Sequence, residues 1–138
     1  MIISARNQIA GKIESVKEGA VNAIVTLKTD GGVAITSTIS MSAVKDLGFV
    51  PGKEATAVIK ATEVMIGIGD MKLSARNQIA GKIESVKEGA VNAVVTLKTD
   101  DGNTITSTIS MAAVKDLGLA PGVKAKAVIK ATSVMMAV

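Results

Sequence analysis

The chain contains no cysteine and no histidine, and its only aromatic residue is Phe49. Without cysteine it can form no disulfide framework, zinc finger or redox thiol. Without either residue type it lacks Ser-His and Cys-His catalysis and the ligands of most transition-metal sites. A nucleic-acid binder of the OB type would normally use several aromatic residues for stacking. The absences therefore argue against an enzyme and against a nucleic-acid binder.

The residues that are present are mostly small and aliphatic, since 48% are apolar and β-branched residues are frequent, which favours strands. The formal charge of +4 fits a protein that binds anions. The acidic residues are scattered and show no metal-loop spacing. We find no signal peptide and no apolar run near twenty residues, so a cytoplasmic location is expected.

An internal repeat determines the domain organisation. Residues 4–66 align without a gap to residues 74–136, at an offset of 70, and twelve positions differ. The joint, Gly67-Ile68-Gly69-Asp70, is short, so the two units must lie close together. We expect one domain over residues 1–68 and a second over residues 69–138.

Within each unit the alternation of apolar and polar residues predicts strands. In the first unit they span residues 7–16, 21–28, 33–39, 53–60 and 63–66, with Val21, Ala23, Val25 and Leu27 facing the core. Asp30-Gly31-Gly32 predicts a hairpin turn, and Ser40 and Gly48 bound a short helix over residues 41–47. The predicted fold class is all-β with short helices, as two tandem OB-like five-stranded barrels.

A cluster of hydrogen-bond donors opens each unit. Ser4-Ala5-Arg6-Asn7 returns unchanged at residues 74–77, and it contains a hydroxyl, a guanidinium and a carboxamide but no carboxylate. Donors without an acceptor nearby suit an anion. The alternative is a plain entry into the first strand, with Arg6 solvated and Asn7 in a turn.

Two further segments carry suitable donors. Lys60-Ala61-Thr62 follows the fourth predicted strand, and in a small barrel Arg6 and Lys60 could share one ligand. Ser40 precedes the short helix, whose first backbone N–H groups can bind an oxyanion. The alternatives are a solvated lysine at a strand end and an ordinary N-cap.

These motifs, taken in order, resemble those of the molbindins, small molybdate-binding proteins built from the Mop domain, a TOBE-type OB fold. The residues that carry the resemblance are Ser4 to Gln8 with Gly11, then Ile39-Ser40, Asp46 to Gly48 and Val58 to Thr62, and it extends over both repeats. The resemblance implies a cytoplasmic binding protein, and the missing cysteine and histidine argue that it is not an enzyme. Its ligand would be molybdate, and tungstate as well, held for intracellular storage and homeostasis by a homotrimer without nucleic-acid or membrane partners.

The resemblance also implies the binding residues, which lie at domain interfaces in this family. In the first unit they are Ser4, Ala5, Arg6, Ser40, Ala43, Lys60, Ala61 and Thr62; in the second they are Ser74, Ala75, Arg76, Ser110, Ala113, Lys130, Ala131 and Thr132. A second class of site near the symmetry axis is placed at one turn of each unit, at Gly19, Val21 and Asn22 and at Gly89, Val91 and Asn92. Two alternative functions remain. One is a structural or oligomerisation module, and the other, less favoured by the residues, is an OB-fold nucleic-acid binder.

Overall fold

The computed structural model describes all residues from Met1 to Val138 and consists mainly of strands. The first repeat forms β1 Asn7–Glu18, β2 Asn22–Thr29, β3 Ala34–Ser40, α1 Met41–Leu47, β4 Glu54–Ile59, a 3-10 turn Ala61–Glu63 and β5 Met65–Gly67. The second forms β6 Asn77–Glu88, β7 Asn92–Thr99, β8 Thr104–Ser110, α2 Met111–Leu117, β9 Lys124–Ile129, a 3-10 turn Ala131–Ser133 and β10 Met135–Ala137. The predicted fold class is confirmed.

The fifth strands are exchanged between the two sheets. One sheet has the order β10-β4-β1-β2-β3 and the other β5-β9-β6-β7-β8. Thus β5 pairs with β9, and β10 pairs with β4, both antiparallel. Each sheet has the five strands that the sequence predicted, but its fifth strand comes from the other repeat. A cut at residues 68 and 69 divides the repeats in sequence, whereas each sheet combines segments from both sides of it.

Long first strands curl each sheet. In β1 the residues from Asn7 to Lys12 pair with β4, while those from Gly11 to Glu18 pair with β2. Gly11 lies where these pairings overlap, and a Cβ there would stand 2.4 Å from the carbonyl oxygen of Lys28. A bulge between Ile13 and Ser15 shifts the register. Bulges bend and twist a strand, so β1 can serve both neighbours.

The short helices begin and end at the predicted residues. Ser40 caps α1 by accepting a hydrogen bond from the amide of Ala43 at 3.0 Å. Gly48 ends the helix in the left-handed conformation, with φ of 66°. The hairpin turn before β3 is also present, with Gly32 at φ of 94°.

The predicted strand bounds differ from the observed ones by one or two residues, and one predicted core residue is exposed. Val21 precedes β2 and is 74% exposed, whereas Ala23, Val25 and Leu27 are buried as expected. The first strand continues to Glu18, two residues beyond its predicted end at residue 16. Period-two alternation identifies the face of a strand but not where its pairing stops.

The core is one cluster of 25 buried residues drawn from both repeats. Phe49 is 3% exposed, so the single aromatic ring packs in the core. Side-chain hydrogen bonds add to the junction: Ser37 Oγ donates to the carbonyl of Val134, and Ser107 Oγ donates to that of Val64, each at 2.5 Å. The two halves therefore form a single packed body.

Candidate functional site

The opening motif and the Lys-Ala-Thr segment meet in one cavity, and this happens once in each half. The first cavity, of about 330 Å³, is lined by Ile3, Ser4, Ala5, Arg6, Lys60, Ala61, Thr62, Thr108 and Met135. The second, of about 240 Å³, is lined by Thr38, Ser74, Ala75, Arg76, Lys130, Ala131 and Thr132. The structure thus brings together Arg6 and Lys60, which the sequence proposed as partners for a shared ligand.

The pairing of β1 with β4 explains this meeting. Asn7, the first residue of β1, lies opposite Ile59, the last residue of β4. The residues just before β1 and just after β4 therefore leave the sheet at the same edge. Arg6 and Lys60 are the adjoining residues, and both are exposed.

Each of the two cavities presents donors without an acidic side chain. The first combines the guanidinium of Arg6 and the ammonium of Lys60 with the hydroxyls of Ser4, Thr62 and Thr108. Neither cation forms a salt bridge, since the only two ion pairs in the chain are Lys28–Glu14 and Lys126–Asp70. Ala5 and Ala61 also line this cavity and are almost fully buried, at 9% and 8% exposure. Two unpaired cations beside hydroxyls form a site suited to a small oxyanion.

Asn7 and Asn77 do not line the cavities, although the opening motif predicted this carboxamide to be one of the anion donors. Asn7 is 2% exposed; it donates to the carbonyl of Thr106 at 2.8 Å and accepts from the amide of Thr106 at 2.7 Å. Asn77 makes the corresponding pair with Thr36, both bonds at 2.8 Å. The carboxamide therefore joins the halves, and it holds the residue next to Arg6 in place.

Threonines from the opposite half complete the cavities, and sequence reasoning missed them. Thr108, on β8, lines the cavity of the first-half motifs, and Thr38, on β3, lines that of the second-half motifs. Met135 reaches the first cavity because β10 is exchanged. The sequence does contain a signal for such residues, namely the run of hydroxyls at residues 36–38. Because side chains alternate along a strand, only some of these hydroxyls can face a ligand. The sequence did not predict that each threonine lies in the cavity formed by the motifs of the other half.

The predicted helix-start residues lie outside these cavities. The hydroxyl of Ser40 accepts a hydrogen bond from the amide of Ala43, and Ser110 accepts one from Ala113 in the same way. The amides of both alanines therefore already have a partner. Ser40 is exposed and lies two residues beyond Thr38 on the same face of β3. A binding role for these four residues stays a prediction.

The second predicted site class coincides with a cavity in the second repeat but not in the first. A cavity of about 250 Å³ is lined by Arg6, Lys87, Glu88, Gly89, Asn92, Ala93 and Val94. Gly89 and Asn92 are therefore close to Arg6, while Val91 is 74% exposed and not part of the lining. Gly19, Val21 and Asn22 line none of the cavities. The presence of Glu88 makes this site less suited to an anion than the first two.

Two other cavities lie away from the opening motifs. The larger one, of about 480 Å³, contains Lys82, Lys124 and Lys126 beside Asp70 and Asp100. Its counterpart, of about 410 Å³, contains Lys12 with Asp30 and Glu54. Carboxylates in both linings oppose an anion. No group of three or more acidic side chains is placed to hold a metal ion.

The fold and these cavities define a class of chain with two interlocked OB-like units and one donor-lined cavity in each half. Both units match the model of the TOBE domain, over residues 3–66 and 73–136, and the chain belongs to this family. The resemblance drawn from the motifs is thereby confirmed. None of the helices has the length and apolar character needed to cross a membrane.

Proteins similar to this chain are named for molybdenum. The molybdenum transport protein ModE of Azotobacter vinelandii is 38% identical over all of this chain and 52% of its own length. The molybdenum-pterin-binding protein MopA of Rhodobacter capsulatus is 36% identical over 99% of this chain and 52% of its own length. This chain therefore spans about half the length of these two relatives. A probable molybdenum-pterin-binding protein of Haemophilus influenzae is 54% identical over 49% of this chain and 99% of its own length.

A solved structure matches the whole chain. The cytoplasmic molybdate-binding protein ModG, in a crystal form with molybdate bound, has a TM-score of 0.97 and 42% identity. The match covers 100% of this chain and 99% of that one. The tandem arrangement found here is thus also that of a protein crystallised with molybdate.

Proposed function

We propose that this chain binds molybdate, and tungstate as its close chemical analogue, for storage and homeostasis of the oxyanion in the cytoplasm. The observation that carries the proposal is the cavity of Arg6 and Lys60 with its hydroxyls and without a carboxylate, repeated at Arg76 and Lys130. The similarity to ModG, described as cytoplasmic and crystallised with molybdate, supports it. The activity is binding, without a catalytic step.

The chemistry of the anion fits these donors. Molybdate is a tetrahedral dianion without a proton at neutral pH, so it needs donors alone. Phosphate keeps a proton near neutral pH and can donate it to a carboxylate, which neither of the two donor-lined cavities contains. Sulfate carries no proton either, so the size of the cavity has to discriminate against it.

The binding residues in the proposal are those that the cavities unite. They are Ser4, Ala5, Arg6, Lys60, Ala61 and Thr62 with Thr108 in the first half, and Ser74, Ala75, Arg76, Lys130, Ala131 and Thr132 with Thr38 in the second. Ser40, Ala43, Ser110 and Ala113 are proposed to act from a neighbouring chain, because within one chain they lie outside the cavities. The Gly89–Asn92 turn beside Arg6 is the proposed second site class.

Isothermal titration calorimetry of the dialysed protein tests this function. We expect saturable heat with molybdate and with tungstate, and little heat with phosphate or sulfate at the same concentrations. The absence of heat and of thermal stabilisation with every oxyanion would contradict the proposal. The structural-module function would then be favoured, because it requires a stable assembly that is indifferent to anions.

A further inference from the structure

The contacts between the two halves are of two geometric kinds. The reciprocal exchange of β5 and β10 relates the two halves by an approximate two-fold axis. Contacts away from this axis occur twice, with identical residues: Asn7 binds Thr106 as Asn77 binds Thr36. Near such an axis, however, a residue meets its own counterpart in the other half, as expected for any two-fold interface. Each contact of that kind occurs once, so its two residues can differ.

Position 31 meets position 101 in this way. A Cβ on Gly31 would lie 2.5 Å from the Cβ of Asp101, so the two positions cannot both carry side chains without movement. The carboxylate of Asp101 instead accepts hydrogen bonds from Thr29 of the other half at 2.7 Å and from Thr99 of its own half. Asn103 Nδ2 donates to the same carboxylate at 2.9 Å, whereas its counterpart is Val33.

Position 63 meets position 133 as well. Ser133 Oγ donates to Glu63 Oε2 at 3.2 Å. Two glutamates here would set carboxylate against carboxylate, and two serines would lose the hydrogen bond to a charged acceptor. Positions 31, 33 and 63 are among the twelve at which the repeats differ, whereas the off-axis residues Asn7, Ser37 and their copies are identical.

We propose that positions 31 and 63 with their counterparts, together with positions 33 and 103 beside the first pair, form a pairing surface that fits each half to the unlike half. The pairing surface comprises Gly31, Val33 and Glu63 of the first half and Asp101, Asn103 and Ser133 of the second. Its partner is therefore the complementary surface of this same chain type, and two like halves fit poorly. Without such a surface, the strand exchange could also join like halves of separate chains, because the segments that precede β5 and β10 are nearly identical.

Three full-length variants test the proposal by their melting temperatures, without any anion. The first-type variant D101G/N103V/S133E carries first-half residues on both sides, and the second-type variant G31D/V33N/E63S carries second-half residues on both sides. The exchanged variant carries all six substitutions and restores unlike pairs. We expect each like-paired variant to melt at least about 4 °C below the parent, and the exchanged variant to melt within about 2 °C of it.

The exchanged variant distinguishes two explanations: that the residues fit their partners in the other half, or that each residue fits only its own half. It can do so because it contains every substitution of the other two variants. If each residue suited only its own half, the losses would add, and this variant would be the least stable of the three. That additive result would overturn the proposal, as would like-paired variants that melt with the parent. If a like-paired variant fails to fold while the exchanged variant folds, the proposal is supported by that contrast.

Discussion

At the scale of single residues, the opening motif divides into a binding part and a structural part. Arg6 faces the cavity as a cation without a salt bridge, whereas Asn7 beside it is buried and bonded to the other half. A buried carboxamide that forms two backbone hydrogen bonds fixes the backbone next to it. The adjacent guanidinium therefore approaches the cavity from a defined position.

Replacement of both arginines is expected to weaken oxyanion binding and to leave the fold intact. Arg6→Ala with Arg76→Ala removes an exposed, unpaired cation from each cavity. Hydrogen bonds to charged groups contribute about 1.5–3 kcal/mol, so the dissociation constant for molybdate should rise at least about tenfold. Calorimetric titration measures the change.

The matched control for this pair is Lys12→Ala with Lys82→Ala. It removes the same total charge from equivalent positions of the two repeats, away from the donor-lined cavities. The affinity of this lysine variant for molybdate should remain near that of the parent protein. An unchanged affinity in the arginine variant, or an equal loss in the lysine variant, would remove these arginines from the site.

Loss of the buried carboxamide is expected to destabilise the whole chain. Asn7→Ala leaves the amide and the carbonyl of Thr106 without their side-chain partner. An unsatisfied buried polar group costs about 1–3 kcal/mol, so the free energy of unfolding should fall by about 2 kcal/mol or more. Urea denaturation measures it, and the neighbouring exposed residue supplies the control, Gln8→Ala, which should have a small effect. Similar losses in both variants would argue against the structural role.

At the scale of elements, the hairpin tips before β3 and β8 are joined by one acidic residue. Burial raises the pKa of Asp101, but hydrogen bonds from Thr99, Thr29 and Asn103 outweigh it and lower the pKa from its ordinary value of 3.8. A lowered pKa means that the ionised carboxylate is favoured by the folded state. Its contribution is complete above the ordinary pKa and is lost as the pH falls through the lower folded value.

This sign predicts how the hairpin contact depends on pH. The parent should be more stable than Asp101→Asn at pH 6, and the difference should narrow as the pH falls below about 3.8. Melting temperatures of the two proteins between pH 2.5 and pH 6 provide the measurement. A difference that stays constant over this range would show that the charge of Asp101 has no part in joining the tips.

At the scale of the whole molecule, the surface around the first cavity suggests further assembly. Ile3 and Met135 line this cavity yet are 45% and 44% exposed, and Ile2 is fully exposed. A second chain packed over these side chains would remove their apolar surface from water. A neighbouring chain placed there would also bring further donors to the anion.

We therefore expect the protein to be a homotrimer, as its resemblance to the molbindins implied, and to be stabilised by its ligand. Light scattering coupled to size exclusion measures the mass of the assembly. At a molybdate concentration of 100 times the dissociation constant, one site adds about 2.7 kcal/mol to the stability of the folded state. A monomeric mass would contradict the trimer, and an anion-independent melting temperature would contradict the binding.

Local sequence signals predicted much of the fold. Alternation identified the strands, and Ser40 and Gly48 marked the ends of α1, because these features depend on a few neighbouring residues. The repeat at an offset of 70 predicted two equivalent units. The two cationic segments could also be proposed as partners, since both adjoin strand ends.

Only the tertiary structure decided how the repeats combine. Met65-Ile66-Gly67 and Met135-Met136-Ala137 are segments of the same length without polar residues, and either could pair with either fourth strand. The local pattern therefore does not choose between them. The exchange brings Met135 to the first cavity, and the close packing of the halves brings Thr108 there and buries Asn7. The sequence by itself determined the elements and the donor chemistry, because both are local. The long-range packing of two nearly identical halves determined which half completes each cavity.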